Sequence, residues 1–141
     1  MESTLAATAP APSLTVLWTA RVLYVLATAF MLFDAAAKYF IAPGIADAFH
    51  RQGMPLALAP VIATILLILV ALYVVPRTAV FGAVLLTGYF GGACACNLRA
   101  GFTPFETLFP VVFGIVVWAP IYLLNPRVRA LIPLQRQHGR M

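Results

Sequence analysis

Asp34 and Lys38 are the first residues that could do chemistry, because they interrupt an apolar stretch and stand four positions apart. On a helix that spacing puts a carboxylate and an ammonium on one face, one turn from each other. Such a pair either neutralises itself and locks its helix to the neighbours, or marks an ion or substrate path. Cys94 and Cys96 are the second candidate, as redox thiols. Successive helical residues turn by ~100°, so these two thiols point to nearly opposite faces and cannot close a disulfide within one helix. The competing reading makes them small residues that fill a helix contact. Asn97 and Arg99 follow on the same end of the chain's third apolar run as the lysine has on the first. Asp34, Lys38, Asn97 and Arg99 could therefore line one polar pocket, with the hydroxyls of Thr87 and Tyr89 deeper in.

Other chemistries lack their residues. His50 and His138 are the only histidines, and both lie outside the apolar runs, which excludes a bis-histidine haem or an intramembrane iron site on ligand count. Carboxylates do not cluster, so no metal site is expected. No phosphate loop, dinucleotide fingerprint or nucleophile elbow occurs, and no cofactor is expected.

The elements that must position these residues are set by composition. The chain is 63% hydrophobic and only 9% charged, against ~25% charged for a typical soluble domain. So few charges cannot build a water-facing surface, and the chain reads as a multi-pass membrane protein whose first partner is the lipid bilayer. The net charge of +5 would suggest nucleic acid on a soluble protein. Here the arginines gather at the ends of apolar runs, where they set membrane topology, and nucleic-acid binding is rejected.

Four runs are long enough to span, at ~1.5 Å per residue across a hydrocarbon core of ~30 Å. They cover about 14–40, 56–75, 78–98 and 107–124 within a bundle domain of 14–125. Residues 1–13 read as a disordered tail without the positive start of a signal peptide, and 126–141 as a basic tail. Ile41 to Pro55 reads as a polar loop. The third run holds Gly88, Gly91 and Gly92, whose missing side chains predict close helix packing. An ionised Asp at mid-membrane costs about 3 kcal/mol, so Asp34 is expected to face the bundle. Arg77, Arg127, Arg129, Arg136 and Arg140 fall on one side and Arg51 and Arg99 on the other. That count predicts an all-α integral membrane four-helix bundle with both termini in the cytoplasm.

The run YVVPRTAVFGAVLLTGYFGGACACNLRAG, followed by FPVVFGIVVWAPIYLLNPRVRALIP, resembles the DoxX-like family of small bacterial four-helix membrane proteins. The Pro-Arg-Thr turn, the Leu-Thr-Gly-Tyr-x-Gly-Gly-Ala core and the Phe-Pro-Val opening of the fourth span carry the match. The resemblance implies a multi-pass protein of the inner membrane and little about activity, although some members are linked to membrane oxidoreductases. It also implies a glutamate in the second span, where this chain has Leu66, and a histidine late in the third, where it has Asn97. These departures favour a non-enzymatic accessory or small-ligand-binding subunit, working with other membrane proteins or a second copy. The alternatives are a subunit of a quinone-linked sulfur or thiol oxidoreductase using Cys94 and Cys96, and a small proton-coupled transporter using Asp34.

Overall fold

A computed structural model describes residues 12–131; most of the expected N-terminal tail, and Arg136, His138 and Arg140, lie outside the described residues. Among the described residues the chain forms α1 (Leu14–Tyr39), α2 (Ile45–Arg51), α3 (Ala59–Val74), α4 (Ala79–Arg99), α5 (Pro104–Leu124) and α6 (Pro126–Leu131). A single 3-10 turn at Leu56–Leu58 leads into α3, and no strand occurs among the described residues. Four segments are long and apolar enough to cross a membrane: Leu14–Tyr39, Leu56–Val74, Ala79–Arg99 and Pro104–Leu124. The four-span, all-helical bundle expected from composition is what the chain forms. Both α1 and α4 pack against α3 and α5, so the spans close into a ring in which each has two neighbours.

Local chemistry sets the ends of these helices. Ser13 caps α1 by accepting from the Val16 N–H. Pro60 sits in the first turn of α3, where its missing N–H costs nothing. The fourth span begins at Pro104 rather than Thr107, because Thr103 and Glu106 form a capping box that the opening residues need. Thr103 Oγ1 accepts from the Glu106 N–H at 3.3 Å, and the Glu106 carboxylate accepts from the Thr103 N–H at 2.9 Å.

The stretch expected as a polar loop instead contains α2. Gly44 at φ 90° and Gly53 at φ 66° take left-handed backbone on either side of it, a conformation that L side chains disfavour. Its one buried residue is Phe49. Similarly, α6 lies in the stretch expected as a basic tail, where Val128 is buried against the core.

The bundle is packed at one end and hollow at the other. At the end bearing the α3–α4 turn, Leu66, Val70, Tyr73, Ala83, Leu86, Val117 and Ile121 form one apolar cluster. Fully buried Tyr73 stacks on Tyr24 with centroids 5.1 Å apart, and its hydroxyl donates to the Val117 carbonyl at 2.9 Å. The tight glycine contact is here, at Gly82: a Cβ on it would stand 2.5 Å from the Tyr73 backbone nitrogen. This corrects the expectation for Gly88, Gly91 and Gly92. All three are exposed, and no neighbouring atom lies within 4 Å of where their Cβ would be. Gly88 is turned about 120° round α4 from Gly82, away from the face that meets Tyr73.

Candidate functional site

The hollow half encloses a cavity of about 480 Å³ that all four spans and α2 line. Small-molecule sites run from ~300 to 1,000 Å³. Its walls are mostly apolar, with Phe30 from α1, Ile62 and Ile65 from α3, Phe90 from α4, and Phe109 and Phe113 from α5. Polar groups collect toward one end of it.

Asp34 and Lys38 both line this cavity and are ion-paired to each other, Lys38 Nζ to Asp34 Oδ1. The carboxylate thus points into the bundle and not at acyl chains, as its insertion cost requires. Lys38 keeps 17% and Asp34 32% of its side-chain surface exposed, and that exposure opens on the cavity. Charge at this site is therefore balanced within one turn of α1 while remaining reachable by a guest.

Asn97 also lines the cavity, and the reason it is there comes from α5. Pro110 has no N–H, so the Glu106 carbonyl four residues earlier loses its helical donor. Asn97 Nδ2 supplies one at 2.9 Å, while its Oδ1 accepts from Gln52 Nε2 at 2.7 Å. Asn97 thereby ties α4 to α5 and to the end of α2. Sequence reasoning placed Asn97 in a pocket but missed Gln52 and Glu106, which line it too. The Thr-x-x-Glu pattern at Thr103 and the proline at Pro110 were the available signals.

Arg99 does not line the cavity. It leans outward, and its Nη2 donates to the Gln52 carbonyl at 2.7 Å. Arg51 lies over the Phe102 ring at 3.8 Å and stands 3.9 Å from Glu106 Oε1. These contacts fasten α2 across the end of the bundle as a lid. On its outer side a second, shallower hollow shares Ala48, Gln52, Asn97, Glu106 and Phe109 with the cavity. The Gln52–Asn97 bond is common to both.

The thiols part company as their spacing predicts: Cys96 lines the cavity and Cys94 does not, and both are free. Tyr89 lines the cavity, whereas Thr87 turns away to accept from Trp118 Nε1 at 2.8 Å. Leu66 is fully buried in the packed half. Among the described residues no group of three or more His, Cys, Asp or Glu comes together in a way that could hold a metal ion.

The model of the DoxX-like family matches residues 22–120, a span that contains every residue lining the cavity. No curated protein and no solved structure matches the chain.

Proposed function

The chain belongs to the DoxX-like family, and from that premise we propose that it is a non-enzymatic membrane subunit that holds a small ligand in the hollow half of its bundle. The observation that carries this reading is the cavity itself, apolar over most of its wall and furnished with one charge-balanced pair, Asp34 and Lys38. A few convergent polar groups in an otherwise apolar pocket is the usual form of a small-molecule site. We place the protein in the inner membrane with both ends in the cytoplasm, acting beside other membrane proteins or a second copy.

Two observations favour this reading over its competitors. A thiol-to-quinone subunit needs both sulfurs at one substrate, and only Cys96 lines the cavity. A transporter built on Asp34 needs that carboxylate free to exchange partners, and Asp34 is ion-paired to Lys38 one turn away on the same helix.

Native mass spectrometry of protein extracted in mild detergent tests the proposal. The wild-type chain should carry a co-purifying small molecule. Ala93→Phe, which fills the cavity from α4, should fold and lose it. Finding each protein only at its own bare-chain mass, with nothing bound to the wild type, would end the reading.

A further inference from the structure

We propose that the cavity takes an uncharged single-chain amphiphile directly from the lipid, its hydroxyl or carbonyl head against Asp34 and Lys38 and its chain leaving sideways between α3 and α4. This rests on the reading of the cavity as a ligand site and adds the class of ligand and its route.

The route follows from which walls are closed. At the packed end the cavity stops on Phe90, which stands at the edge of the buried cluster. At the other end α2 is held by the Gln52–Asn97 and Arg99–Gln52 hydrogen bonds. Between α1 and α5, Phe30 packs on Phe113 and Phe109 with centroids 4.7 Å and 5.7 Å apart. On the wall between α3 and α4, Ile65, Gly88 and Gly92 line the cavity and are exposed. Nothing lies within 4 Å of a Cβ position on either glycine. On α4 they stand about 100° to 160° from Thr87 and Phe90, which face α5, and about 120° (Gly88) and 80° (Gly92) from Gly82, which abuts α3, so both lie on the outer side of α4 with Gly92 the nearer to α3. Counting back from Arg99, Gly92 is ~10 Å and Gly88 ~16 Å along the axis. Both therefore lie at hydrocarbon depth in a span, and the opening they border faces acyl chains rather than water.

The class of ligand follows from charge and wall chemistry. Asp34 and Lys38 together carry no net charge, and Glu106, the other carboxylate at the cavity, stands 3.9 Å from the Arg51 guanidinium. A charged head would bring an uncompensated ion into a low-dielectric site, which is costly. A hydroxyl can donate to the carboxylate and accept from the ammonium at once, and a carbonyl can accept from the ammonium alone. The phenyl and isoleucine walls suit an alkyl chain, and a chain that leaves through the opening stays among lipid tails throughout.

The test uses the full chain in nanodiscs with decanol carrying a photoactivatable diazirine at its middle carbon. Labelling should map to the peptides that hold Ile65, Gly88 and Gly92. Unlabelled decanol should compete, whereas decyl sulfate and decyltrimethylammonium should not. Gly88→Leu with Gly92→Leu, and separately Ile65→Trp from the facing helix, should abolish labelling while leaving the helical circular dichroism intact. Labelling that survives both closures, maps elsewhere, or yields equally to a charged competitor overturns the proposal. If the wild type still carries a co-purifying molecule that Ala93→Phe loses, the ligand-site reading survives that failure. If it carries none and takes no label, both fall.

Discussion

Asp34 and Lys38 share one turn of α1 and one cavity, so removing either leaves the other charged with only its partial exposure for compensation. Loss of one partner of a fully buried pair costs ~3–5 kcal/mol, and exposed pairs are worth ~0–1 kcal/mol. The cavity-facing pair lies between, so Asp34→Ala or Lys38→Ala should each cost about 1–3 kcal/mol in thermal unfolding of the nanodisc-embedded protein. The double substitution should recover much of that loss, with a coupling of at least ~0.5 kcal/mol; strictly additive costs would mean the two do not act as a pair. At Asn97 the argument runs through Pro110. Asn97→Ala should cost about 1–3 kcal/mol, because the Glu106 carbonyl is left without a donor. Pro110→Ala restores the helical N–H to that carbonyl, so in its background the same Asn97→Ala should cost measurably less. An unchanged cost would show that the carbonyl is not what Asn97 serves. The inward aim of Asp34 was legible in the sequence, since an ionised carboxylate in a span has one affordable direction. The work of Asn97 was not, because it depends on a proline in a different helix coming alongside.

Among the elements, the α3–α4 hairpin sorts the glycines. Gly82 lies where a Cβ would stand 2.5 Å and 2.7 Å from the backbone N and Cα of Tyr73, atoms that no rotamer change can move. Gly82→Ala must push the two helices apart and should destabilise the protein by about 1–3 kcal/mol or more. Gly91→Ala meets nothing within 4 Å and replaces a poor helix former, so it should be neutral or stabilising by up to about 1 kcal/mol. Paired melting curves check both, and equal effects would contradict the packing described. A sequence shows that glycines are present in a span but not which of them a neighbouring backbone crosses. The lid was hidden for a related reason. The seven residues of α2, three of them polar, make too few turns for a stable isolated helix; what holds them is Gln52 on Asn97, Arg51 on Phe102 and Arg99 on the Gln52 carbonyl, all contacts to other elements. The start of α5 was within reach, because Thr103 and Glu106 carry the capping-box spacing and a proline follows the cap.

For the molecule as a whole, the four spans were plain from composition, since helices this apolar have one medium in which to sit. The division into a packed half and a hollow half was not, because it depends on Phe30, Phe90 and Phe113, from three different helices, coming together at the edge of the buried cluster. That division gives the molecule two distinguishable ends. The packed end carries the Pro76–Thr78 turn with Arg77, and α6 with Arg127 and Arg129. The lid end carries Lys38, Arg51 and Arg99, but two of these cations already face Asp34 and Glu106, at the pair on α1 and at 3.9 Å respectively. Cations near span ends are retained on the cytoplasmic side, and among the described residues those of the packed end form no ion pair. The packed end should therefore face the cytoplasm and the cavity with its lid the opposite side. In a background with Cys94→Ser and Cys96→Ser, Asp47→Cys on the exposed face of α2 should react with a membrane-impermeant maleimide in intact cells. Pro76→Cys in the turn should react only after the membrane is opened. The reverse pattern would turn the molecule over and leave its lid facing the cytoplasm.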